Sequence, residues 1–422
     1  MKCENLMVES VTQDADDRHL LKLDKRSTIR KTGYEKNIPL FYMIQFFSGL
    51  HFISGVLVPF FTEWGGISFS QVMILQAVFL GFAFFLEIPT GTVADYLGRK
   101  QSVFLGLFVT TFAALVYSSI PKFWVFMIAE CLWATGMAFI SGAMDAFLYD
   151  SLKELNREQD SKKVFGRTRS ISLVGILVAA PIGSVIAISL GLRYTMMLMS
   201  IPIGLSAMLC LFLKEPQINN ANKNQKYFEI IKNGWNHIRN SRVVKILSLD
   251  LLIAGVLAYF IIWTNQQRLI TIGVDVGYLG YINMIWLAIE ILVSNSFVIL
   301  EKMLRSKKAV VFLTSFLTGI GFILMAISSN VSIVVLGIML AAGFGLGRWI
   351  LLINYLNKHI PSEQRAMIIS TIVMFKQLAH VVINPVVGFL VEWNLVIVLI
   401  IIGSLLVIWS FASPIREIHL LD

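Results

Sequence analysis

Twelve apolar runs, each long enough to cross a bilayer as a helix, alternate with short polar connections along this chain. A run of about 20 apolar residues matches the hydrocarbon thickness at the rise of an α-helix. The runs cover residues 38–62, 70–90, 102–120, 123–148, 168–190, 194–213, 244–266, 276–300, 308–328, 331–356, 366–391 and 394–413. One connection is much longer than the rest, "KEPQINNANKNQKYFEIIKNGWNHIRNSR", and it divides the runs into six and six. The pattern predicts an all-α integral membrane protein of two six-helix bundles. Its parts are a tail (1–37), a first bundle (38–213), a central loop (214–243), a second bundle (244–413) and a tail (414–422). Within the loop, Tyr227, Ile230, Ile231, Trp235 and Ile238 keep helical apolar spacing beside basic residues. That spacing fits either a helix lying on the membrane surface or a solvated linker helix.

Composition agrees. Of 422 residues, 56% are hydrophobic and 14% charged, with a mean hydropathy of +0.74. Soluble domains carry about 25% charged residues, and a soluble fold of this composition would expose large apolar patches. Thirty Lys and Arg residues lie in the tails and alternate connections, whereas Lys122, Arg193 and Arg268 are the three on the opposite side. Positive charge stays inside, so both termini and the central loop are expected in the cytoplasm and the chain in the plasma (inner) membrane. The net charge of +9 is this topology signal together with affinity for anionic lipid, and no nucleic-acid partner is expected. The first 37 residues are polar, and the apolar run after them exceeds a signal core. Cys3, Cys131 and Cys210 show no paired spacing, so neither a disulfide framework nor a zinc site is implied.

Charges inside the runs narrow the functional question. An ionisable group at the bilayer centre costs about 2.5–3.5 kcal/mol on insertion scales, so it usually faces a cavity or a partner. These groups are Glu87 in the second run, Glu130 and Asp145 in the fourth, Asp250 in the seventh, Glu290 in the eighth, Arg348 in the tenth and Lys376 in the eleventh. His51 and His380 accompany them. The third, sixth, ninth and twelfth runs carry none, which suggests eight helices around a polar path and four outside. Asp145 and Asp250, within about a turn of the cytoplasmic end, fit either the cavity or water-reached anchors. Glu87 fits either the cavity or the charge network of the following loop, and His51 either a hydrogen-bonded core or a proton shuttle. Glu290, Arg348 and Lys376 form either a substrate cavity with His380 or a structural ion-pair cluster. Glu130 is deep and has no obvious partner, which makes it the foremost candidate for carrying a proton, with Glu87 and Asp250 behind it.

The halves repeat each other. Asp95 and Arg99 after the second run recur as Glu301 and Arg305 after the eighth, and Tyr149 recurs as Tyr355 at the same spacing. "PIGS" at Pro181 echoes "PVVG" at Pro385. Duplicated halves around a midplane site are a common route to alternating access. The loop "GTVADYLGRK" between the second and third runs resembles the signature loop of the major facilitator superfamily through Gly91, Asp95, Gly98, Arg99 and Lys100. "LKEP" after the sixth run, "IPSEQRAMIIS" after the tenth and "SGAMDAFLYDSLKE" closing the fourth are similar to a bacterial branch near the drug exporters. The resemblance implies two pseudo-symmetric six-helix bundles and a cytoplasmic gate in which Asp95 contacts the eleventh helix. Arg99 would then pair with a carboxylate ending the fourth, here Asp145 or Asp150. Glu301 and Arg305 mark the second-half loop, which lacks the glycines. Two departures separate this chain from drug:proton antiporters: Leu132 stands where they carry an Arg before Gly136, and "AAPIGS" replaces their glycine pairs.

No phosphate loop occurs, so ATP is not expected to drive the protein. "GFGLGR" at Gly343 lies inside a membrane run with no preceding strand, and its glycine spacing suits helix packing. No metal or nucleophile constellation appears, so neither a cofactor nor enzymatic activity is expected. The expectation is a monomeric secondary transporter, coupled to protons, that exports a small amphipathic compound such as a drug or toxic metabolite. The alternatives are proton-coupled uptake of a small nutrient, or a non-transporting sensor or scaffold that kept the fold.

Overall fold

The computed structural model describes residues 33–216, 227–361 and 364–420, with 87–97 and 227–232 described by backbone alone. Helices dominate because an α-helix satisfies every backbone hydrogen bond within its own segment, which hydrocarbon requires. The first half contains α1 (Asn37–Ser48), α2 (Phe69–Leu97), α3 (Arg99–Tyr117), α4 (Phe123–Glu154), α5 (Ser161–Ser189) and α6 (Leu192–Leu211). The central connection holds α7 (Tyr227–Asn240). The second half contains α8 (Arg242–Tyr259), α9 (Ile261–Thr271), α10 (Val276–Leu304), α11 (Lys307–Ile327), α12 (Val331–Lys358) and α13 (Arg365–Ala412).

Among the described residues, ten helical stretches are long and apolar enough to cross a membrane. Two features separate ten from the twelve apolar runs. The eleventh and twelfth runs form the single stretch α13, turned at Asn394, whose extended backbone (φ −162°, ψ 100°) interrupts the helix. Its side chain then accepts the Ile397 N–H at 3.1 Å and restarts the helix. The first run is broken: α1 stops at Gly49, and short turns at Ser54–Val56, Leu57–Pro59 and Phe60–Trp64 carry the chain onward. Hydropathy is blind to this break, because the residues around it are apolar either way. The break is seated on α5 by close backbone contact: a Cβ at Gly49 would lie 2.6 Å from the Ser172 carbonyl oxygen, and one at Gly183 1.7 Å from that of Phe52.

The α7 helix is held to the second half. It packs on α13, with Ile238 buried, the Trp235 and Phe375 rings 5.2 Å apart, and Gly234 close enough that a Cβ would meet Thr371 Oγ1 at 2.2 Å. The α3, α6 and α11 helices, from the third, sixth and ninth runs, pack mainly within their own halves. The halves meet through α2 against α13 and α5 against α10.

Candidate functional site

A set of hydrogen bonds joins the halves at the end away from the termini. The Val58 N–H donates to Gln266 Oε1 at 2.9 Å, and Gln266 Nε2 donates back to the Ser54 carbonyl at 2.9 Å. Asn283 Nδ2 reaches the same carbonyl at 3.4 Å. Ser184 Oγ donates to the Val276 carbonyl at 3.1 Å and accepts the Gly280 N–H at 2.8 Å. The Ser70 N–H, in the first turn of α2, donates to Glu392 Oε1 at 2.7 Å. Burial alone would push the Glu392 carboxyl up, but the Ser68 hydroxyl and the N–H and hydroxyl of Ser70 outweigh burial and hold it below the usual range. Glycine lets the surfaces touch here, since a Cβ at Gly280 would stand 2.1 Å from the Ala180 carbonyl oxygen. At the terminal end, α4 presents exposed Ser141 and Asp145, and α12 exposed Asn354 and Lys358. The far end is shut and the terminal end is polar and accessible.

Above that closed end lies a cavity of about 220 Å³ lined by His51, Gln76, Tyr117, Glu130 and Trp133 from the first half and Trp263 from the second, among others. Glu130 is 4% exposed and accepts a 2.8 Å hydrogen bond from Gln76 Nε2. His51 packs edge-on to Trp133, ring centres 6.2 Å apart. Four residues before Trp263, Tyr259 lies against His380 with ring centres 4.1 Å apart. Lys376, one turn along α13 from His380, sets its ammonium 4.9 Å from the Trp349 ring centre. The Trp263 indole, His380 and Asn384 are buried, and their polar groups interact among themselves and with the Tyr259 hydroxyl.

The remaining membrane charges separate from this group. Arg348 pairs with Asp250, and both are buried. Its other guanidinium nitrogen bonds the Val311 carbonyl and Thr314 Oγ1. Asp250 also accepts from Trp409 Nε1 at 3.1 Å and Ser413 Oγ at 2.6 Å, so no water-reached anchor forms there. Arg348 therefore has a counter-charge that the sequence reading did not pair with it. Glu290 is half-buried on α10, and the charge of Arg169 on α5 reaches it.

Of the signature-loop residues, the side chains of Glu87 and Asp95 and the surroundings of Gly91 lie outside the described residues. Gly98 takes φ +102° at the turn into α3, a conformation that L side chains rarely adopt. Arg99 pairs with Asp150 and the Ala146 carbonyl, while Asp145 is exposed; of the two carboxylates open from sequence, Asp150 is the partner. Lys100 Nζ donates to the Leu211 carbonyl at 2.7 Å. A further group was not singled out from sequence: Glu215, the Glu of "LKEP", accepts the Arg99 and Lys100 backbone N–H groups at 2.8 Å each. Glu417 does the same in the second half, accepting from Lys307 N–H, Lys308 N–H and Ser306 Oγ at 2.8 Å each. A carboxylate on two orphan amides at a helix start is favoured by the helix dipole. The repeat thus places Lys307, rather than Arg305, where Arg99 stands. Arg305 closes α10 with φ +52°, and Glu301 accepts the Tyr355 hydroxyl.

The family model "Major Facilitator Superfamily" matches residues 40–383. An "Uncharacterized transporter" of Buchnera aphidicola subsp. Schizaphis graminum (strain Sg) is 31% identical over 96 residues, 23% of this chain and 24% of that relative; the match thus spans about a quarter of its length. Among solved structures, a point mutant of nucleoside transporter NupG superposes with a TM-score of 0.76 at 15% identity, over 90% of this chain and 98% of that one. A POT family transporter in complex with a thioalcohol-conjugated peptide gives 0.70 at 14%, over 89% and 95%. A bacterial homolog of the human lysosomal transporter Spinster, inward-facing and unoccupied, gives 0.68 at 14%, over 91% and 98%. These likenesses describe a shared fold.

Proposed function

Because the chain belongs to the major facilitator superfamily, we propose that it is a proton-coupled secondary transporter in which Glu130 carries the proton. Its two halves rock about the cavity, and a small molecule crosses a multi-pass membrane protein without chemical change. The concentration of basic residues at the terminal end supports a cytoplasmic position for that end; on this reading the protein faces inward, with its outer end shut by the Gln266, Ser184 and Glu392 contacts. Asp95, with Arg99 and Asp150, forms the matching cytoplasmic gate that closes when the outer end opens.

One observation carries the proton assignment. Glu130 is buried on the cavity wall, and its hydrogen-bond partners are uncharged, the Tyr117 hydroxyl and the Gln76 amide. Moving a carboxylate out of water penalises its charged form, and no cation offsets that penalty here. The groups facing it are His51 beside α1, Gln76 of α2, Tyr117 of α3, and Tyr259 from the second half. A carboxyl group placed this way exchanges a proton with whichever side the cavity opens to.

Export of an amphipathic compound and uptake of a nutrient use the same parts. They differ in whether proton and substrate bind together or exclude one another. A panel of toxic compounds and single nutrients, applied to cells expressing the protein, identifies a transported compound. That compound is then followed in liposomes containing the purified protein. In Glu130→Gln, accumulation driven by a pH gradient should fall to background, while exchange of the compound down its own gradient persists. Gradient-driven accumulation at the wild-type rate would remove Glu130 from the coupling.

A further inference from the structure

The two cations of the second half have different fates. Arg348 is neutralised by Asp250 and tied to Val311 and Thr314. Lys376 has no carboxylate at ion-pair distance among the described residues. Its neighbours are the Trp349 ring, 4.9 Å from the ammonium, and Gly255, whose Cβ position lies 3.9 Å away. A cation kept within a membrane span without a partner is costly, which makes it a functional-site candidate by default.

The surroundings add an independent sign. Lys376, His380 and Asn384 recur every four residues along α13 and so share one helix face. His380 is 3% exposed and Asn384 0%; they interact with each other, and Asn384 and Trp263 with the Tyr259 hydroxyl. Trp263 also borders the cavity that holds Glu130. The stripe is thus a buried row of uncharged hydrogen-bonding groups beside a cation that has no counter-charge among the described residues, and such groups can donate to the polar atoms of a ligand that enters. Aromatic rings flank it: Trp349 at the lysine and Tyr259 against His380.

Resting on the transport reading above, we infer that the substrate is a small organic anion, a carboxylate or phosphate on an apolar or aromatic body, whose charge Lys376 holds and whose polar atoms meet His380, Asn384 and Trp263. The charge balance then gives the direction of coupling. With Glu130 protonated, Lys376 is the uncompensated charge beside the cavity and an anion neutralises it. With Glu130 ionised, the anion meets a second negative charge. Tyr259 packs against His380, and Trp263, four residues on, lines the cavity that holds Glu130, so the two sites adjoin. Proton and anion therefore favour each other's binding, and the coupling is reciprocal. They move in the same direction, so an inward proton gradient drives uptake.

The test uses the full-length purified protein and its thermal unfolding midpoint against matched probes: benzoate and benzamide, phenylacetate and phenylacetamide, phenyl phosphate and phenol. Lysophosphatidylglycerol is added as a lipid-borne phosphate. The anions should raise the midpoint and their neutral partners should not. In Lys376→Gln the anions should bind about 10- to 100-fold more weakly, and Lys376→Arg, which keeps the charge, should retain most of the effect. Anion affinity should rise from mildly alkaline to mildly acidic conditions, and that rise should vanish in Glu130→Gln. Equal stabilisation by the neutral probes, none by any anion, or wild-type anion affinity in Lys376→Gln would overturn the inference. Stabilisation by the lysophospholipid alone would assign Lys376 to a lipid headgroup and overturn it too. Anion binding without pH dependence would overturn the co-binding and the role of Glu130 while leaving Lys376 as the anion site. Gradient-driven flux confined to neutral compounds would do the reverse.

Discussion

Replacing Gly280 by alanine should tilt the protein toward its outward-open form. The residue sits where α10 of the second half meets α5 of the first. A Cβ there would stand 2.1 Å from the Ala180 carbonyl oxygen, 2.6 Å from Ser184 Oγ and 2.8 Å from the Ala180 carbonyl carbon. Carbon and oxygen pack at about 3.5 Å, so the contact must open by roughly 1.4 Å to admit one methyl group. Parting also stretches the 2.8 Å hydrogen bond from Gly280 N–H to Ser184 Oγ. Overpacking of this kind costs about 1–3 kcal/mol, and the cost falls on the state in which the outer end is shut. The inward-to-outward ratio should therefore drop about 5- to 150-fold. The readout is the dipolar distance between spin labels at Ser119 and Asn330, in outer connections of the two halves, after replacement of the native cysteines. The distribution should move to longer distances in Gly280→Ala. Gly142→Ala, at a position with nothing within 4 Å of a new Cβ, should leave it unchanged. A folded Gly280→Ala protein with the wild-type distribution would refute the view that this contact belongs to one state.

Two further outcomes follow from the charge arrangement. Asp250→Ala leaves Arg348 buried without a counter-charge and should destabilise the protein by about 3–5 kcal/mol. Asp250→Leu combined with Arg348→Met should recover most of that in a thermal double-mutant cycle, and strictly additive losses would show that the pair is not mutually neutralising. Glu417 titrates outside the membrane. Burial raises its carboxyl, but the Lys308 N–H, Ser306 hydroxyl, Lys307 N–H and Lys307 charge together hold it below the usual carboxylate range. Its contribution is thus present above the ordinary glutamate value of about 4.3 and lost as pH falls through the lower folded value. Hydrogen exchange in the first turn of α11 should accelerate over that acidic window, and at neutral pH in Glu417→Gln; flat exchange in both would contradict the clamp.

Length and hydropathy were enough to place the apolar runs, because bilayer thickness acts on every spanning helix alike. The Arg99 loop was also legible, since its glycines and charges sit in one short stretch. What escaped depends on which helices face one another. Asp250 and Arg348 stand on different helices, and no local pattern ties them. The break after Gly49 is invisible to hydropathy, since Phe, Leu and Ile fill helical and irregular backbone there alike. Glu215 and Glu417 did leave a trace: each follows the last run of its half beside a proline, in "KEP" and "SPIRE". Recognising them needed the idea that a carboxylate after one helix starts another.

Those two clamps also close at different moments in the life of the chain. Glu215 leaves the ribosome while the second half is still unmade, so α3 is fastened early and the first half has its inner face complete before its twin exists. Glu417 emerges only after every helix of the second half. Until then the start of α11 has two bare amides, and Ile415 and Leu420, both buried in the finished protein, have yet to dock. A fusion partner joined close behind residue 420 would burden that last step and spare the first half entirely.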